Sequence, residues 1–170
     1  MIGIDTNVLL RLLLDDEPAQ AARIETWLAG LPQTSGQVHI ADVVLAETCW
    51  TLASVYQQPK ATLLTALQAL LDEPMFNFES RATVAAALLA FKTASCGFSD
   101  CLIVAKNLAL GCASTVTFDE RMQSLTGAGG FVSHQADQID SAGTPACAIA
   151  DSKAASSVAS GSLRRSASSR

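Results

Sequence analysis

Short apolar strand signals alternate with helical apolar patterns along most of this 170-residue chain, and that alternation restricts the fold more than any other feature. Strands separated by helices imply a mainly parallel sheet with helices on both faces. The first strand signal, residues 1–4, ends in Asp5, and the apolar spacing of Val8, Leu9, Leu12 and Leu13 then begins a helix. An acid at the carboxyl end of a strand, where a helix starts, stands where open α/β sheets build ligand sites.

Further along, Asp16-Glu17-Pro18 reads as a helix start, with a capping acid and a proline near the first helical position. That helix spans 18–29 and stops at Gly30. A strand over 38–40 precedes helices over 42–56, with Asp42 as a cap, and 60–72, ending before Pro74. Residues 75–78 form the next strand. Ser80 caps a helix over 81–95, and Ser99 caps one over 100–110 that ends at Gly111. Residues 113–118 form a β-branched strand, Asp119 opens a helical turn, 127–130 form a loop and 131–133 a last strand.

The chain is 49% hydrophobic, enough for one domain with a good core. It has no 18-residue apolar run to span a membrane, and its start has no basic segment or cleavage site of a secretory signal, which predicts a cytoplasmic protein. The cysteines (Cys49, Cys96, Cys101, Cys112 and Cys147) form no CxxC pair and read as reduced core residues. His39 and His134 are the only histidines, too few for an ordinary zinc site.

The net charge of −5 is unevenly spread: residues 1–140 carry −8 and residues 141–170 carry +3. An acidic body argues against passive electrostatic binding of nucleic acid. Bound divalent cations can reverse that sign locally. From Ser141 onward Ser and Ala supply 17 of the last 30 residues, too little apolar surface to offset the entropy of ordering. The expected division is an ordered domain over 1–135 and a disordered tail over 136–170. Arg164, Arg165 and Arg170 either touch nucleic acid or belong to a functionless extension.

Four acids carry the chemical signal: Asp5, Glu47, Asp100 and Asp119. Each has an ordinary alternative. Asp5 and Asp119 can cap helices, and Asp100 suits the first turn of one. Glu47 has Val43, Val44 and Trp50 as helical neighbours, which places it in or beside an apolar stripe. A buried carboxylate there needs a cation: a metal ion, or an arginine such as Arg11. Mg²⁺ and Mn²⁺ prefer oxygen ligands, and a cluster of acids can hold one or two of them for phosphodiester hydrolysis. Thr6, Ser99 and Thr117 supply hydroxyls beside the acids, suited to positioning water or an outer hydrogen bond, or to ordinary cap and turn chemistry.

The segments IDTNVLLRLLL, LAETCWTL, GFSDCLIVAKNLALGC and TVTFDERM, taken together, resemble the PIN-domain family and, within it, the VapC-type toxins of bacterial toxin–antitoxin pairs. The resemblance covers residues 1–133. It implies a three-layer α/β/α sandwich and a Mg²⁺- or Mn²⁺-dependent endoribonuclease. Asp5, Glu47 and Asp100 match the family's core acidic ligands, Asp119 its fourth acid, and Thr6 and Asn7 the polar pair after the first acid. It also implies an RNA substrate, a homodimer, and a small antitoxin whose end lies over the active site and whose own domain binds DNA. The Ser/Ala-rich tail departs from the family pattern.

Two other classes compete with this reading. A catalytically silent PIN-like module would act by binding a protein partner. An aspartyl phosphotransfer domain would need a second acid two residues after Asp5, where Asn7 stands. A dinucleotide site is excluded, because no glycine-rich turn follows the first strand.

Overall fold

The computed structural model describes residues 1–14, 16–32 and 34–131. Seven helices and five short parallel strands alternate along it as an α/β sandwich. β1 (Ile2–Gly3) pairs with β2 (Val38–Ile40), and β2 pairs with β3 (Phe76–Phe78). β4 (Thr115–Val116) pairs with β5 (Ala128–Gly129). Parallel neighbours cannot be joined by tight hairpins, so every connection carries helix. α1 (Thr6–Leu13) and α2 (Pro18–Ala29) link β1 to β2, and α3 (Asp42–Ser54) and α4 (Lys60–Asp72) link β2 to β3. α5 (Arg81–Thr93) and α6 (Phe98–Ala109) lead to β4, and α7 (Glu120–Gln123) leads to β5.

The core follows from helical spacing. α4 buries Leu63, Leu67, Leu70 and Leu71, α5 buries Val84, Ala87, Leu88 and Phe91, and α6 buries Phe98, Cys101, Leu102 and Val104. These meet Ile40 of β2, whose Val38 is buried as well. Phe91 and Phe98 join α5 to α6 edge to face, with centroids 5.9 Å apart, a favourable aromatic geometry. No helix among the described residues is long and apolar enough to cross a membrane.

The mainly parallel pairing is as expected, in two ladders of three and two strands. Several other sequence expectations need correction. The last strand among the described residues is β5, inside the stretch expected to be a loop, and Phe131 lies beyond it. The rest of the expected strand, His134, Cys147 and the tail lie outside the described residues. A left-handed turn at Gly127 (φ +90°) leads into β5, where a Cβ would come within 2.7 Å of the Leu108 side chain. Cys49, Cys96 and Cys101 are free and buried as expected, whereas Cys112 is exposed.

Capping also differs. Asp16 does not cap α2; it pairs with Arg11 at 2.8 Å. Asp42 is the first residue of α3, after Ala41 at the cap position. Ser80 stands at the cap of α5 without bonding to its backbone, and its hydroxyl donates to Asp42. Gly97, not Ser99, occupies the cap position of α6. In each case a partner distant in sequence or a neighbouring ion pair takes the side chain away from the local backbone.

Candidate active site

Asp5 leaves β1 in extended conformation, and its Oδ1 accepts the backbone N–H of Val8 at 2.9 Å. This is an ordinary N-cap, and it fixes one carboxylate oxygen while the residue stays exposed. Thr6 begins α1, and its hydroxyl donates to Glu47 Oε2 at 2.5 Å. The start of α1 is thereby tied to α3 across 41 residues of sequence. Asn7 lies exposed on the same turn.

Glu47 itself is not in an apolar interior. The buried side of α3 carries Leu45, Thr48, Cys49 and Leu52, whereas Glu47 faces solvent. Two of its apolar neighbours share that exposure, Val43 at 71% and Trp50 at 60%, whereas Val44 is half-buried and packs against the core. Glu47 thus lies on the solvated face, contrary to the sequence expectation. Arg11 does not pair with Glu47. Tyr56 and Asp16 hold it instead, and they raise its pKa, the Tyr56 hydroxyl contributing most.

Asp100 is the third residue of α6, where its Oδ2 accepts the N–H of Gly97 at 2.9 Å. The Ser99 hydroxyl donates to the carbonyl of Ala46 at 3.0 Å, pinning the first turn of α6 to α3 beside Glu47. Asp119 caps α7 by accepting from the Arg121 N–H at 2.8 Å, and the Thr117 hydroxyl accepts the Asp119 N–H at 3.1 Å. Burial raises the pKa of the Cys96 thiol most; the Cys101 thiol lowers it, and the charges of Asp100 and, less, Asp119 raise it. Cys101, whose sulfur is 4.0 Å from that of Cys96, is pushed up to about 12, again chiefly by burial.

The four acids share a pattern. Each commits one oxygen to a hydrogen bond, and the other oxygen has no hydrogen bond among the described residues. Among those residues, no lysine or arginine lies within ion-pair distance of Asp5, Glu47 or Asp100. Asp119 has only a loose contact, 3.7 Å, to the exposed Arg121. The donors fit a hard divalent cation in type. Among the described residues no three His, Cys, Asp or Glu side chains converge closely enough to enclose an ion. Mg²⁺ does not require such a cage, since it keeps several waters and uses one or two carboxylates directly. Beside Asp5 lies an open cleft of about 590 Å³, lined by Val8, Gln20, Arg23, Ile24 and Trp27 among others.

A second acidic group was not anticipated. Asp42, 4% exposed, meets Lys106 Nζ at 2.7 Å, and Lys106 reaches Glu79 at 3.0 Å. The backbone N–H of Asp42 donates to Glu79 at 3.0 Å. The Glu79 carboxyl is held below its ordinary range first by that N–H and then by Lys106. The Lys106 ammonium is raised by Asp42 and then Glu79. The available signal was a lysine interrupting the apolar run LIVAKNLAL.

The chain is 25% identical over 122 residues to a VapC ribonuclease of Aquifex aeolicus (strain VF5), an alignment covering 72% of this chain and 90% of that protein. The PIN domain profile matches residues 2–128, which include Asp5, Glu47, Asp100 and Asp119. With that match over most of its length, this chain belongs to the PIN-domain family.

Proposed function

We propose that this protein is a Mg²⁺- or Mn²⁺-dependent endoribonuclease, the toxin of a toxin–antitoxin pair, with Asp5, Glu47, Asp100 and Asp119 as its metal-binding and catalytic acids. The observation that carries the reading is the set of three carboxylates, Asp5, Glu47 and Asp100, fixed by hydrogen bonds yet left without a lysine or arginine partner among the described residues. A chain that neutralises its buried Asp42 with Lys106 leaves these acids to an external cation. The similarity to a VapC ribonuclease supports RNA as the substrate.

The chain's own residues do the positioning. Thr6 holds the Glu47 carboxylate toward the start of α1, and the Val8 N–H orients Asp5. Ser99 locks the beginning of α6, and with it Asp100, against α3. Thr117 orders the backbone at Asp119. Asn7, on the exposed first turn of α1, is the polar group that would contact substrate. A bound divalent cation supplies a Lewis acid for the phosphate and a lowered pKa for attacking water, so no side-chain nucleophile is required. The cleft beside Asp5 is large enough for a nucleotide-sized group.

The exposed Val43 and Trp50 beside Glu47 support a protein partner that covers the site, as a cognate antitoxin would. Such an antitoxin would be the route to DNA. We place the active toxin in the cytoplasm as a homodimer. A second reading, a silent PIN-like binding module, draws on the acids' not enclosing an ion among the described residues. Cleavage of total cellular RNA by purified protein with Mg²⁺ or Mn²⁺ decides between them. Discrete fragments, abolished by EDTA and by Asp100→Asn, are expected; intact RNA from folded, partner-free protein would favour the silent module.

A further inference from the structure

The sequence contains six phenylalanines. Phe78, Phe91 and Phe98 are 6%, 4% and 2% exposed, and Phe76 packs partly buried against the core. Phe118 and Phe131 do neither. They are 83% and 66% exposed, and they stack on each other with ring centroids 4.3 Å apart and planes 20° from parallel. The register of the second ladder explains the pairing. Thr115 lies opposite Ala128 and Val116 opposite Gly129, and the Thr117 N–H donates to the Gly129 carbonyl at 3.0 Å. Continuing that register brings Phe118 opposite Phe131. Phe118 is also the residue before Asp119, one of the four site acids.

We propose that Phe118 and Phe131 form a stacking platform that holds an unpaired base of an RNA substrate at the edge of the acidic site. The inference rests on the ribonuclease reading above. A body of charge −8 over residues 1–140 offers RNA little of the phosphate neutralisation that usually dominates affinity. Away from a bound cation, contacts that do not depend on charge gain weight, and base stacking on exposed aromatic rings is a principal one in single-strand recognition. Phenylalanine has no polar group to read a base edge, so the platform holds the strand without choosing its sequence.

The test uses single-stranded RNA oligonucleotides carrying 2-aminopurine, titrated with the whole protein in EDTA so that nothing is cleaved. Wild type quenches the fluorophore on binding. Phe118→Ala and Phe118→Leu lose the quench and weaken binding by roughly tenfold or more, within the range of one lost base–aromatic stack. Phe118→Trp restores both, and Phe131→Ala repeats the loss in a second position. With Mn²⁺ present, Phe118→Ala raises KM for cleavage and leaves kcat nearly unchanged. Binding by Phe118→Leu equal to wild type, or a Phe118→Ala effect confined to dimerisation or antitoxin capture, would overturn the platform. So would wild type that binds no oligonucleotide. Wild type that quenches but never cleaves with Mg²⁺ or Mn²⁺ sinks the nuclease reading and leaves the platform standing; cleavage with unchanged KM in Phe118→Ala does the reverse.

Discussion

Two carboxylates on α3, five residues apart, have opposite surroundings. Asp42 is buried, and Lys106 and the Ser80 hydroxyl attend to it, although its Oδ1 has no hydrogen bond. Glu47 is exposed, has no cationic partner among the described residues, and is held only by the Thr6 hydroxyl. A buried charge without an opposite charge is expensive, so the fold supplies one from α6. An exposed carboxylate carries no such penalty, and the fold can leave its charge uncompensated. The difference separates an acid that holds the structure together from one available for chemistry.

Exchange of the two roles is the sharpest challenge to that contrast. Glu47→Gln should reduce RNA cleavage by at least about 100-fold, the upper end of what losing an outer partner costs a metal site. Thermal unfolding should barely move, as for most surface substitutions. If the melting temperature collapses instead, Glu47 is structural and the contrast fails. Lys106→Met should do the opposite. It leaves Asp42 buried and unpaired, and should cost about 2 kcal/mol in denaturant unfolding, less than a fully buried pair because the lysine side chain is 36% exposed. Adding Asp42→Asn should recover part of that loss; additive losses would show that the ion pair contributes nothing.

A smaller effect is expected from Thr6→Val, which removes the hydroxyl that orients Glu47. Metal affinity or cleavage should fall about tenfold, as for other outer-sphere partners, with the fold intact by circular dichroism. The smallest effect is on pH dependence. The depressed Glu79 carboxyl contributes stability above its ordinary value of 4.5, and loses it as pH falls through the depressed value. The raised Lys106 contributes below its ordinary value of 10.5, and loses it as pH rises through the raised value. Melting temperatures from pH 7 down to about pH 3 should therefore decline less in Glu79→Gln than in wild type. Parallel declines would remove Glu79 from the account.

Much of this was legible from local pattern. The bounds of α2, α4 and β2 match the periodicity and its Pro and Gly punctuation, because these segments are governed by their own spacing. The four acids stand out in the sequence as short motifs, three of them at helix starts and Glu47 within α3. The fate of side chains with distant partners was not legible. Ser99 turned to Ala46, Ser80 to Asp42 and Asp16 to Arg11, and the Asp42–Lys106 pair joins two helices far apart in sequence. Glu47 was expected off the solvated face and is exposed, because periodicity does not say which of two apolar stripes on a helix faces the core. α3 has apolar residues on both, and only packing against α1 and α6 chose Leu45, Cys49 and Leu52 for the inside.

The most direct test is calorimetric titration of Mn²⁺ into the purified, metal-free protein, wild type beside Glu47→Gln and Asp42→Asn. Saturable binding to wild type and to Asp42→Asn, lost in Glu47→Gln, is the predicted result. No binding to folded wild type, or equal binding to all three, would contradict the claim that the exposed, unpaired acids are the cation site.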